Sequence, residues 1–371
     1  MQSKGVRIMR LSMKPSMNWL FVFMPIAVLL EHVEGTPVPL IFFSAALAIL
    51  PIASMIVKAT EQIASRVGDT VGGLLNATFG NAPELIITLV ALKAGLFDMV
   101  RASLAGAIMA NLLLALGIAF FLGGIRYHEQ EYNPVASRVY STMMLIAVIS
   151  MSIPSGFRRA LGGDEPMAYE QSLNLGIALA LLLAYLLSLL FMLKTHPDLF
   201  KSVGGIEQNH TEGERWSVGR AVVTLVASSV LAAWMSEILV GAAQGTGKSL
   251  GMSDTFIGII FLAIVGGAAE SGSAIATARK NKVDLSIGIA LGSCVQIALF
   301  VAPILVLASY VISPRPFLLS FSRIEILSMF LTILIGTIVA SDGRSHWFKG
   351  VQLITLYLVI AMMFYFLPAA H

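Results

Sequence analysis

The chain has 371 residues, 57% of them hydrophobic and only 12% charged, with a net charge of +3. Soluble domains carry about 25% charged residues, so much of this surface faces something other than water. No basic tract is long enough to indicate nucleic acid, and the single cysteine, Cys294, excludes an intramolecular disulfide and a cysteine-rich metal site. Cys294 itself reads as a small packed helix residue.

In chain order, Lys4, Arg7, Arg10 and Lys14 precede an apolar run from Trp19 to Leu30. No small-residue cleavage site follows, and Glu31-His32 comes directly after it. The run therefore reads as an uncleaved first span, tilted or bent at Pro25. A bilayer core needs about 20 apolar residues per helix. On that basis eleven spans are expected, near residues 17–32, 38–58, 70–95, 99–124, 136–155, 171–194, 217–245, 256–280, 283–312, 322–340 and 350–367. A polar stretch at 195–216, with Asp198, Glu207, Glu212 and Glu214, separates the sixth span from the seventh. With the N-terminus in the cytoplasm, 17 of the 24 Lys and Arg residues fall on cytoplasmic segments and 7 on the other side. The positive-inside rule favours that orientation. The expected fold is an all-α polytopic protein of the cell membrane, whose partners are the bilayer and a transported ion.

A shift of 186 residues, without gaps, places Gly72, Gly80, Ala82, Glu84, Asp98 and Gly106 on Gly258, Gly266, Ala268, Glu270, Asp284 and Gly292. Matched acids inside one frame of apolar helices indicate an internal repeat. The division is then a tail and first span (1–37), a first five-span copy (38–194), a linker (195–216) and a second copy (217–371). Five is odd, so the second copy enters the membrane inverted. Inverted repeats meeting at the midplane are a recurring transporter plan.

Glu84 and Glu270 each lie 14 residues after the start of a span, at Thr70 and Phe256, about 21 Å in. A charge there costs at least ~2.5–3.5 kcal/mol, and two at matched positions need a compensating role. The bland reading is a structural hydrogen bond by a protonated glutamate. Around Glu84, Pro83 lacks an N–H, so the Phe79 carbonyl loses its helical partner, and Gly80 adds freedom. Gly266 and Gly267 do so in the other copy. Freed carbonyls at a half-helix end attract a cation. Asn81, Asn111 and Gln296 offer amides to the same region, and Thr78, Ser271 and Ser273 offer hydroxyls. Each of these is also explained by an interhelical hydrogen bond. Carboxylate, amide and carbonyl oxygens, without thiolate or local histidine, suit a hard divalent cation such as Ca2+. Two bare carboxylates in a low dielectric take up protons when no cation is present, so protons and Ca2+ compete for the same oxygens. That is sufficient for coupled exchange, and no cofactor is called for.

Other groups are peripheral. Glu237 lies near the outer face, on an access path or at the interface. Asp98 and Asp284 sit at helix junctions and read as N-caps. His128, His196 and His346 fall in loops.

At this point the residues resemble a known family, the Ca2+/H+ antiporters or cation exchangers. Gly72–Ile86, GGLLNATFGNAPELI, looks like the first family signature. Lys280–Pro303, KNKVDLSIGIALGSCVQIALFVAP, is similar to the helix after the second, and Ser341–Gly350, SDGRSHWFKG, to a late segment. The resemblance implies eleven helices in two inverted repeats, proton-driven Ca2+ export, and Glu84, Asn81, Glu270 and Gln296 as ion-site residues. The second signature departs from the family pattern GNAAEH, with Gly267 and Ser271 in place of its Asn and His. An Asn at 267 is then tolerated if the cavity has room. A Na+/Ca2+ exchanger of the same superfamily is the nearest rival, but Asn81-Ala82 and Ala268-Ala269 lack its Gly-Thr-Ser type hydroxyls. A passive channel fits the repeat less well, and no H-E-x-x-H or G-x-S-x-G supports an intramembrane hydrolase. The sequence leaves homo-oligomerisation open.

Overall fold

The computed structural model describes residues 17–67, 69–160, 167–200 and 216–367. The basic residues at 4, 7, 10 and 14 and the acids at 207, 212 and 214 lie outside them. All eleven expected segments are helical. The helices are α1 (Phe23–His32), α2 (Val38–Ala64), α3 (Asp69–Phe79), α4 (Ala82–Lys93), α5 (Phe97–Tyr127), α6 (Pro134–Phe157), α7 (Tyr169–Thr195), α8 (Val218–Leu250), α9 (Asp254–Gly266), α10 (Ala268–Ala278), α11 (Val283–Ile312), α12 (Arg323–Val339) and α13 (Trp347–Tyr365). Seven of these are long and apolar enough to cross a bilayer alone, and the α9–α10 pair does so as one span bent by 59°. Large apolar side chains such as Leu183, Leu187, Val223 and Val230 point outward and are more than half exposed. A surface of that kind requires lipid. The protein is an integral, multi-pass membrane protein.

Several boundaries move for local reasons. The first segment opens as a tight 3-10 turn, Met17–Val22, before α1. The seventh begins on Ser217, whose side chain accepts from Arg220 N, and runs on to Leu250. It stops there because Gly251 takes φ +68°, a left-handed conformation that glycine adopts freely. A capping box starts α12, with Ser322 and Glu325 satisfying each other's backbone donors. The shift of 186 residues carries α3, α4 and α5 to 255–265, 268–279 and 283–313, within a residue of α9, α10 and α11.

The all-α fold carries one small addition. Two short strands, β1 (Glu129–Glu131) and β2 (Arg344–His346), pair antiparallel. They join the loop after α5 to the loop before α13. The SDGRSHWFKG segment explains why. Gly343 turns at φ +79°, and Lys349, side chain 11% exposed, donates to both Asp342 carboxylate oxygens (2.5 and 2.6 Å), to Val339 O and to Arg344 O. Burial works against the ionised Asp342, but hydrogen bonds from Lys349 and Arg344 hold its carboxyl below the usual range. His346 caps α13 by accepting from Lys349 N.

The loops sort onto two faces, as alternating spans demand. On the hairpin face, Arg126 donates to Arg279 O, Gln130 to Ala278 O, Asn133 to Leu199 O and Arg66 to Trp216 O. On the opposite face, Arg101 donates to Leu318 O, Asn174 to Phe317 O and Gln244 to Asp254, and Lys93 pairs with Glu237.

The Lys349 lock yields a graded test. Asp342→Asn strands a nearly buried ammonium and should cost roughly 1–2 kcal/mol, after discount for the exposed Asp342 side chain. Lys349→Met removes the buried charge itself and should cost less. Thermal unfolding in detergent checks the order, and an Asp342→Asn protein as stable as the parent would refute it.

Candidate ion-binding site

Both acids sit at helix breaks. Asn81 ends the α3–α4 break, and Glu84 lies in the first turn of α4. Gly267 forms the α9–α10 break, and Glu270 lies in the first turn of α10. The break beside Pro83 is a full interruption, with a new helix starting at Ala82. Proline occupies the first turn of a new helix, where its missing N–H costs nothing. Phe79 closes α3, and its carbonyl still has no i+4 donor, because that residue is Pro83. Each carboxylate therefore stands at the positive end of one half-helix dipole, beside the carbonyl-rich end of the preceding half-helix.

Glu84 and Glu270 are 4% and 7% exposed. They are near enough for the charge of one to act on the other. None of their four carboxylate oxygens accepts a hydrogen bond from any described residue. Buried polar atoms are almost always paired, so four orphaned oxygens at one place mark a site built for something else. Glu84 lies against the second break. A Cβ on Gly266 would fall 2.8 Å from Glu84 Cγ, and one on Gly267 3.2 Å from Glu84 Oε1 and 3.4 Å from Asn111 Oδ1. The glycines let the two halves approach. The room at 267 left open by the sequence is already taken by these two oxygens.

The expected amides do converge, joined by a residue the sequence reading missed. Asn111 Nδ2 donates to Ser293 Oγ (2.9 Å), Ser293 Oγ to Asn81 Oδ1 (2.6 Å), and Asn81 Nδ2 to Gln296 Oε1 (2.5 Å). Ser271 reaches Asn111 Oδ1 at 3.5 Å, the long limit of such a contact. Ser293 is three residues before Gln296 and so on the same helix face; that spacing was the available signal. Gly80 abuts the same chain, since its Cβ would lie 3.4 Å from Gln296 Oε1. The π turns were also not foreseen. Ala110–Ala115 of α5 contains Asn111, and Ile297–Val301 of α11 follows Gln296. Such turns recur at functional positions, and these two occupy matching places in the repeat frame.

Other candidates are not brought in. Thr78 spends its hydroxyl on Leu74 O within its own helix. Ser273 supplies its carbonyl to Thr277, one turn along its own helix. Glu237 pairs with Lys93 at the surface. Asp98 pairs with Arg101 and Asp284 accepts from Asn133 N (2.6 Å), so neither is the N-cap expected. Cys294 is buried and packed against Ile108 O. His196 stacks on Phe191, and His128 ends α5. Among the described residues no three His, Cys, Asp or Glu side chains converge on a metal-sized centre.

The comparisons with known proteins bear on this arrangement. The family profile described as "Sodium/calcium exchanger protein" matches residues 37–194 and again 220–366. A Ca2+/H+ antiporter of Aphanothece halophytica is 39% identical, covering 94% of this chain and 96% of its own. The Ca2+/H+ antiporter ChaA of Bacillus subtilis is also 39% identical, over 89% and 93%. The solved structure of native YfkE superposes with a TM-score of 0.81 at 35% identity, covering 95% of this chain and all of that one. An H+/Ca2+ exchanger structure (TM-score 0.68, 14% identity) and a sodium-calcium exchanger structure (0.51, 18%) share the fold. The chain belongs to the sodium/calcium exchanger protein family and, within it, to the Ca2+/H+ antiporters.

Proposed function

We propose that this protein exchanges Ca2+ for protons across the cell membrane, with its N-terminus in the cytoplasm. Glu84 and Glu270 bind the cation as carboxylates and carry protons when it leaves. The observation that supports this most directly is the set of four buried carboxylate oxygens without a protein donor. Two negative charges match a divalent cation, and the same oxygens are the only basic sites there for a proton.

The neighbouring amides complete the reading. Asn81 and Asn111 offer neutral oxygens, and Gln296 and Ser293 hold them in place. Phe79, Gly80, Gly266 and Gly267 contribute backbone at the breaks, and Ser271 a hydroxyl. Ca2+ accepts six to eight oxygens in variable geometry, which suits a shell of mixed amide, carbonyl and carboxylate. The helix dipoles favour ionised carboxylates when the cation arrives. Proton uptake removes the repulsion left when it departs. One chain carries both acids, so the cycle requires neither a second copy nor a cofactor. Placing the hairpin face in the cytoplasm follows the excess of Lys and Arg in its loops.

The decisive experiment is 45Ca2+ uptake into sealed vesicles driven by a pH gradient without sodium. Uptake that ignores pH and needs a Na+ gradient would move the protein to the sodium-coupled class. Glu84→Gln and Glu270→Gln should each lower exchange about 30-fold or more, since losing one buried charge partner costs ~2 kcal/mol at least. Normal flux in either inserted mutant removes the core of the reading.

The apparent KM for Ca2+ should rise as pH falls, because protons occupy the same oxygens. A KM unchanged over the range where exchange runs would contradict that competition.

The glycines give a graded result. Gly266→Ala drives a methyl into Glu84 Cγ and should abolish exchange. Gly267→Ala makes only the looser contacts, 3.2 Å to Glu84 Oε1 and 3.4 Å to Asn111 Oδ1 and Ala263 O, and should weaken apparent affinity several-fold, about 1 kcal/mol. Ser293→Ala should do likewise by leaving the Asn81 and Asn111 amides unheld. Equal effects at 266 and 267 would show that neither glycine acts through Glu84.

A further inference from the structure

A basic cluster gathers where α2 ends and α8 begins, on the hairpin face. Trp216 organises it. This residue is buried against Ala59 of α2 and Ala221 of α8. Its backbone N–H donates to Gln62 Oε1 (3.0 Å), and its carbonyl accepts from Arg66 (2.5 Å). Lys58 Nζ lies 5.3 Å, and Arg220 Cζ 4.7 Å, from the centre of its ring. Three exposed cations are thus held around one tryptophan. Among the described residues none of the three is ion-paired, whereas Lys93, Arg101, Arg344 and Lys349 are. Glu61, one turn along α2, is the acid that feels the charge of Lys58. Three cations against one acid leave the cluster positive.

An apolar cleft of about 180 Å3 adjoins this cluster on its membrane side. Its walls are Ile52 and Met55 of α2, Val223, Ala227 and Leu231 of α8, and Phe21 from the turn before α1. Ser228, a hydroxyl at the same wall, donates to Thr224 O within its own helix. Arg220, Val223, Ala227 and Leu231 follow the spacing of one helix face, and Lys58 is one turn beyond Met55. The cations therefore stand at the hairpin-face end of the cleft. Val223, Val226 and Val230 are more than half exposed, so the cleft faces lipid.

We propose that this is a binding site for one anionic phospholipid. Lys58, Arg66 and Arg220 take the phosphate, and part of an acyl chain occupies the cleft. Complementarity at both ends identifies the occupant. A soluble anion would leave the cleft unfilled, and a zwitterionic lipid brings no surplus negative charge to the cations. Arginine and lysine pair well with phosphate, basic pockets between spans hold acidic headgroups, and tryptophan favours the headgroup level. A chain lying between Phe21 and α8 ties the start of the first segment to α2 and α8. The site lies apart from Glu84 and Glu270, and it stands or falls independently of the antiport reading.

The test uses the full chain, stripped of lipid in detergent. Native mass spectrometry and thermal unfolding are read with phosphatidylglycerol, with phosphatidylcholine of the same chains, and with inorganic phosphate. One phosphatidylglycerol should be retained, about tenfold or more in preference to phosphatidylcholine. It should raise the unfolding temperature, and inorganic phosphate should not. Lys58→Gln with Arg220→Gln should abolish the preference, and Lys58→Arg with Arg220→Lys should keep it. Arg279→Gln with Lys282→Gln takes two cations from another loop of the same face and should leave the preference intact. Ala227→Phe fills the cleft and should weaken phosphatidylglycerol binding about tenfold although every cation remains. Equal retention of the two lipids overturns the site, as does a preference that survives the glutamine pair at 58 and 220. Equal loss in the Arg279 and Lys282 variant would show a diffuse charge effect in place of a site. Protection by inorganic phosphate as strong as by lipid, or parental binding in Ala227→Phe, would remove the acyl chain from the cleft. If the glutamine pair does not fold, the comparison of lipids and Ala227→Phe still decide.

Discussion

The cost of holding two carboxylates inside a bilayer governs the rest of this structure. Each costs at least ~2.5–3.5 kcal/mol by insertion measures. Among the described residues no arginine or lysine bonds either carboxylate, and Lys93, Arg101 and Lys349 are engaged elsewhere. The protein offsets the cost with backbone instead. Two helices are cut so that Glu84 and Glu270 each sit on an N-terminal turn, where the peptide dipoles favour negative charge without a fixed counter-ion. A fixed counter-ion would neutralise the acids permanently. A dipole favours the charge without neutralising it.

From that constraint the small residues follow. A broken helix exposes polar backbone, which is tolerated at membrane depth only inside protein or a cavity. The two breaks are therefore brought against each other, and Gly266 and Gly267 leave the Glu84 side chain room to lie over the second one. The amides of Asn81, Asn111 and Gln296 line the same interior through Ser293, so the polar interior is shared by both halves of the chain.

Much of this was legible in the sequence because two signals are strong there. Apolar length marks spans, and a repeat frame that matches Glu84 to Glu270 marks a shared site. Asn81, Asn111 and Gln296 were found because an amide inside an apolar helix is conspicuous. Ser293 was not, because a serine in a Gly-Ser-Cys run resembles ordinary helix packing. Pro83 and Gly80 mark the break beside Glu84, though not the residue at which the new helix starts. The π turns at 110–115 and 297–301 leave no compositional trace, since they depend on how neighbouring helices crowd the backbone. The β1–β2 pairing was invisible because six polar residues in two loops carry no strand pattern, and the two strands lie far apart in sequence.

The hairpin has a mechanical consequence. Its strands weld the end of α5 to the start of α13, and Lys349 ties that weld to the end of α12 through Val339 O. Gln130 extends the tie to Ala278 at the end of α10. These elements come from both halves of the chain, so no hinge can run cleanly between the halves. The first copy and the second are thus fastened to each other on one face, although nothing in their order along the chain places those pieces together.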